Sequence, residues 1–159
     1  MNACVLTKLR DLCDRYHVDY EIYLDQLPLK TARAGATEYG IDPSETAPTL
    51  ILKVYDNMIA VILRGDTRIS FRKLKMLLNA KHIHMAKASD VYSVTNAGIG
   101  EVSLINRQIQ TYIDKKLLKK AYVFGGCGVK NCTLKIRTDD LIKLTNATIL
   151  DFADFKRPS

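Results

Sequence analysis

A chain of 159 residues, 47% apolar and 26% charged, has the usual size of one domain and can bury a core without metal or disulfide. It has no apolar run near the ~20 residues of a bilayer-spanning helix, and its charge-interrupted N-terminus, MNACVLTKLRDLCDRYHV, does not read as a secretory signal. The expectation is a single cytoplasmic domain over residues 1–159 with no membrane association, no cofactor, and reduced thiols at Cys4, Cys13, Cys127 and Cys132.

Val5, Leu6, Leu9, Leu12, Cys13 and Tyr16 recur at helical spacing and predict an amphipathic helix over residues 3–17. Val18, Tyr20, Ile22 and Leu24 then alternate with polar residues as in a half-buried strand. Thr31 is placed to cap a short helix running to Tyr39, with Gly40 as its stop. Pro48 opens a strand, PTLILKV; Asp56-Asn57 turns the chain and MIAVILR returns, a hairpin that Gly65-Asp66 ends. Ser70 caps a helix over FRKLKMLLNA, IHMA reads as a short strand, and Ser89 caps a second helix, DVYSVT. VSLI, QTYI, AYVF and CTLKIR read as strands, DKKLLKK as a helical turn, Asp139 as the cap of DLIKL, and ATILDF as a last strand. Helices and strands alternate without a linker, which predicts one α/β (mixed α+β) domain with a twisted, mixed sheet surrounded by helices.

The net charge of +7 is unevenly spread. Residues 64–87 hold Arg64, Arg68, Arg72, Lys73, Lys75, Lys81 and Lys87 against the single acid Asp66. Such a stretch is either a solvated face or a surface for a polyanion backbone, and Arg64, Arg68, Arg72 and Lys73 are the candidates for the second role. Phe71 alone interleaves it, so base stacking is not expected there. Cys127 and Cys132 flank the second of two glycine-bearing loops, residues 98–100 and 125–128. Their spacing differs from that of zinc knuckles, and Lys130 nearby leaves a thiol role for Cys127 open. There is no P-loop, G-x-S-x-G elbow or H-E-x-x-H, and His17, His82 and His84 read as structural.

Three segments in order, APTLILKVYDNMIAVILRGDTRISFRKLKMLL, ASDVYSVTNAGIGEVSLIN and YVFGGCGVKNCTLKIRTDDLIKL, together resemble the YbaK family, the prolyl-tRNA synthetase-associated domains. The resemblance covers about residues 18–152 and implies a barrel-like mixed sheet with an aminoacyl pocket. It further implies hydrolysis of mischarged aminoacyl-tRNA by a free-standing editing protein, with tRNA and an aminoacyl-tRNA synthetase as partners. It puts Gly100 and Asp140 in catalytic positions and Thr31, Pro48, Thr95, Asn96, Gly98, Ser103, Gly125 and Gly126 around the substrate. Glycines there would let main-chain N–H groups approach an ester oxygen.

The departures bear on activity. Where editing members carry a lysine before Thr-Leu, this chain has Pro48, which is neutral and has no N–H. Lys53 lies five residues on, on the opposite face of the strand and roughly 16 Å away. Arg64 or Lys130 are the alternatives for that charge. Asn96 stands for a glycine and Leu104 for a proline. An asparagine tolerates the left-handed backbone that such a turn needs. Two readings remain beside the thiol or metal one: a deacylase, or a non-catalytic tRNA- or aminoacyl-binding module.

Overall fold

The computed structural model describes residues 2–24, 37 and 39–157. Helix α1 (Asn2–Arg15) turns its apolar side, Leu9 and Cys13, into a core shared with strand β1 (Tyr20–Leu24). His17 closes the helix with φ 55. Leu24, expected on the buried side of β1, is 80% exposed although it pairs with Cys132 of the neighbouring strand. The expected Thr31 helix cap lies outside the described residues; Thr37 and Tyr39 are helical, and Gly40 has φ +64, as its stop position requires.

A 3₁₀ turn (Pro43–Glu45), capped by the Asp42 carboxylate, leads into β2 (Thr49–Val54) and β3 (Asn57–Ile62). Their register pairs Val54 with Asn57, so the hairpin turns at Tyr55-Asp56, one residue earlier than expected, with Tyr55 at φ 55. Next comes β4 (Thr67–Ile69), which the sequence reading missed; its partner β10 (Ala153–Phe155) is distant in sequence. Helix α2 (Phe71–Leu77) starts as expected, the Ser70 side chain accepting from Lys73 N, and β5 (Ile83–Met85) follows.

Helix α3 (Ala88–Thr95) has Lys87, not Ser89, at its cap. It ends on Asn96 in the left-handed conformation, φ 58, as anticipated for the residue standing where a glycine was expected. Residues 102–105 form no strand. Beyond them run β6 (Gln110–Asp114), a 3₁₀ segment (Lys115–Lys119), β7 (Tyr122–Gly126) and β8 (Cys132–Arg137). Helix α4 (Thr138–Thr145) is capped by Arg137 without a side-chain bond rather than by Asp139. The Thr138 amide and hydroxyl are tied to the Ala121 and Lys120 carbonyls, which fixes the helix start before Asp139. Of the last expected strand, ATILDF, only β9 (Thr148–Leu150) forms; a corner follows, and β10 lies beyond the expected stretch. The buried Asp114 carboxylate holds that corner by accepting from Phe152 N at 2.8 Å and Ala153 N at 2.9 Å.

The strands form a mixed five-stranded sheet, β5-β2-β3-β6-β9, an antiparallel β1-β8-β7 sheet and the β10-β4 pair. A parallel bridge from Thr46 to Phe124, with Ala47 N bonded to Phe124 O at 2.8 Å, joins the entry of β2 to β7. The two faces of β2 and β3 bury different clusters. Leu52, Val61 and Leu63 pack with Leu74 of α2 and with Phe152, whereas Ile51 and Ala60 pack with Val91 of α3 and with Val102. The architecture is the mixed α/β domain anticipated, and no described helix is long and apolar enough to cross a membrane.

Candidate active site

Pro48 sits at the mouth of β2, where the chain leaves its bridge to β7. Together with Leu50, Leu63, Ile69, Phe71 and Met85 it lines an open cleft of about 390 Å³ with an apolar floor. The cations of this cleft are Arg68, from β4, and Lys156, just beyond β10. Arg68 is exposed and is in no ion pair among the described residues, while Lys156 donates to Gly65 O at 3.3 Å. Both reach the cleft because β4 and β10 pair, Arg68 opposite Asp154.

Arg64, the other basic candidate in this region, is committed elsewhere. Its guanidinium forms a two-point pair with Asp66 (2.7 and 2.6 Å) and lies over the Phe155 ring. That pair holds the Asp66 carboxyl below its ordinary range, chiefly through the hydrogen bonds from Arg64. Lys73 is paired with Asp154 at 2.5 Å, and Arg72 is exposed. Lys130 is exposed and does not line the cleft.

The second glycine loop meets the segment that follows the first, residues 101–104, and the contact is tight. A β-carbon on Gly126 would stand 2.2 Å from the Val102 carbonyl oxygen, and one on Gly125 would stand 2.5 Å from Leu104 Cγ. Leu104 N donates to Gly126 O at 3.0 Å. The absent side chains of β7 are thus replaced by segment 101–104, and Leu104 fills a fully buried position. The loop has local supports of its own. Thr95 Oγ1 donates to Val91 O and accepts from Ala97 N, Gly100 takes φ 86, and Ser103 Oγ accepts from Ile105 N at 3.1 Å. Gly98 lies beside the Glu101 carboxylate.

None of Gly98, Gly100, Gly125 or Gly126 lines the cleft at Pro48. Asp140 opens α4 on the side of α1, where its charge is felt by Cys13. Burial, then Asp14 and Asp140, push the Cys13 thiol up to about 11. Cys127 and Cys132 are buried, and among the described residues no group of His, Cys, Asp and Glu is arranged to hold a metal ion. His82 lies edge-on to Tyr55, 5.6 Å away.

One polar group was missed by the sequence reading. Thr49 Oγ1, one residue past Pro48 but outside the cleft lining, is buried and among the described residues has no hydrogen-bond partner, as is the case for Asp90 Oδ2 on α3. A β-branched threonine at a strand start gives no sequence signal, since its ordinary role is strand propensity. Such an unpartnered group costs about 1–3 kcal/mol, so its retention asks for an explanation.

A family profile described as an aminoacyl-tRNA editing domain matches residues 27–144, and the chain belongs to that family. It is 37% identical over 87 residues to a proline–tRNA ligase of Caldicellulosiruptor bescii, an alignment covering 54% of this chain and 15% of the ligase. To the proline–tRNA ligase of Caldicellulosiruptor saccharolyticus it is 31% identical over 120 residues, or 73% of this chain and 19% of the ligase. The chain therefore spans less than a fifth of either ligase. Among solved structures it is similar to the hypothetical protein APE2540, with TM-score 0.85 and 25% identity, covering 92% of this chain and 99% of that one. A candidate trans-editing enzyme for prolyl tRNA synthetase shares the fold, with TM-score 0.82 and 17% identity over 94% and 97% of the two chains.

Proposed function

We propose that this protein hydrolyses the ester of mischarged aminoacyl-tRNA, acting in the cytoplasm on tRNA that a prolyl-tRNA synthetase has charged with the wrong amino acid. The observation that carries the proposal is the pair of cations, Arg68 and Lys156, lining the cleft beside Pro48. A lysine is the family's expectation at Pro48; here positive charge comes to the same cleft from β4 and the end of β10. The non-catalytic reading rested on the loss of that charge, and it loses its main premise.

The chemistry asks little of a protein nucleophile. Water adds to the ester carbonyl carbon, charge develops on the carbonyl oxygen, and the bond to the ribose oxygen breaks as that oxygen takes a proton. Free amino acid and uncharged tRNA result. In this scheme the Arg68 guanidinium holds the terminal phosphate and steadies the developing oxyanion, a task suited to its fork of donors. The apolar floor takes the aminoacyl side chain.

Incubation with tRNA for proline carrying different amino acids tests the proposal. Release of one or more amino acids well above the buffer rate is expected, and stability of every ester would rule the activity out.

A further inference from the structure

One face of the β1-β8-β7 sheet packs into the core, and the other carries aromatic and basic side chains. Val123, Leu134, Ile136, Tyr20 and Ile22 point inward. By alternation, Tyr122 and Phe124 of β7, Lys135 and Arg137 of β8 and Tyr23 of β1 point outward. The register sets Tyr122 opposite Arg137 and Phe124 opposite Lys135. Lys135 Nζ lies 5.0 Å from the Tyr122 ring centre and 5.6 Å from that of Phe124, and the Arg137 guanidinium 5.3 Å from Tyr122. Phe124 is near-parallel to Tyr23 and Tyr39, at 6.4 and 5.9 Å. Tyr122 is 44% exposed at the open end of this strip. The one acid of these rows, Glu21, is engaged by the Tyr23 hydroxyl and by Lys135.

Aromatic faces interleaved with cations suit stacked bases joined by phosphates, and this interleaving is absent from the basic stretch 64–87. The strip also runs toward the cleft: Phe124 O accepts from the amide of Ala47, the residue before Pro48.

We propose that this face stacks the unpaired 3′ nucleotides of an RNA, delivering the strand end to the cleft. The inference rests on the deacylase reading for its RNA, and it assigns a surface which that reading does not require. Tyr122 supplies the outermost stacking platform, and Lys135 and Arg137 meet the phosphates.

The test uses uncharged RNA: a labelled hairpin with a four-nucleotide single-stranded 3′ extension, and the same hairpin blunt-ended, followed by fluorescence anisotropy. The extended hairpin should bind more tightly than the blunt one. Tyr122→Ala should weaken binding of the extended RNA about 5- to 100-fold, the scale of one lost base stack, with little change for the blunt RNA. Tyr122→Phe should restore it, and Lys135→Gln should lower the salt slope by about 0.7. Equal binding of the two hairpins, or a Tyr122→Phe variant as weak as Tyr122→Ala with native circular dichroism, overturns the inference. A protein that stacks the extension without ester turnover contradicts only the deacylase reading. One that turns over esters yet ignores the extension contradicts only this one.

Discussion

Gly126 approaches Val102 so closely that a β-carbon would stand 2.2 Å from the Val102 carbonyl oxygen, a separation that side chains do not tolerate. Because the obstacle is backbone, Gly126→Ala must displace either loop 101–104 or the end of β7. A loss of about 1–3 kcal/mol, the usual cost of overpacking, is expected in denaturant titration. Gly125 meets the Leu104 side chain instead, so Gly125→Ala should cost clearly less on a Leu104→Ala background than on the native one. Additive costs in that cycle would show that the two residues do not meet.

Asp66 links stability to acid pH. Its carboxyl is held low mainly by hydrogen bonds from Arg64. A depressed carboxyl contributes stability that is fully present above its unfolded value, near ~3.9, and is lost as pH falls through the lower folded value. The stability gap between the native protein and Asp66→Asn should therefore be constant from pH 7 to about 5 and close below about 4. A gap that widens on acidification would contradict the pairing.

The thiols should separate by burial. Cys4 is exposed, whereas Cys13, Cys127 and Cys132 are buried, and Cys13 is pushed up to about 11. At pH 8 an alkylating or disulfide reagent should modify one thiol rapidly and the other three only on unfolding. Rapid reaction at Cys127 would revive the thiol reading.

Thr49→Val tests a hydroxyl that is buried and, among the described residues, without a partner. Its removal should leave stability unchanged or raise it by up to ~1 kcal/mol in denaturant titration. Thr49 lies outside the lining of the cleft, so deacylation should stay at the native rate. A clear loss of stability would show that the hydroxyl has a partner.

Much of the fold could be read locally. The Ser70 cap, the β2–β3 pair and the left-handed Asn96 each follow from a few adjacent residues, and the structure has them. The misses share a cause in distant contacts. VSLI has strand composition, yet it straps over β7, where Leu104 bonds Gly126 and Val102 fills the space beside it. Strand β4 is three residues long and exists because β10 pairs with it. The same holds at the site. The proline at Pro48 was legible, whereas the cations beside it were not, because Arg68 and Lys156 are brought to the cleft by that non-local β4–β10 pair. Arg64 was a plausible substitute by sequence, but Asp66, two residues away, engages it.

Whether Arg68 at the Pro48 cleft supports ester hydrolysis is read most directly from initial deacylation rates of the native protein and Arg68→Gln on the same mischarged tRNA. Release well above buffer by the native protein is expected, with a loss of about 100- to 1000-fold in the variant at unchanged thermal stability. Equal rates for the two proteins, or no release by either, would overturn the role of Arg68.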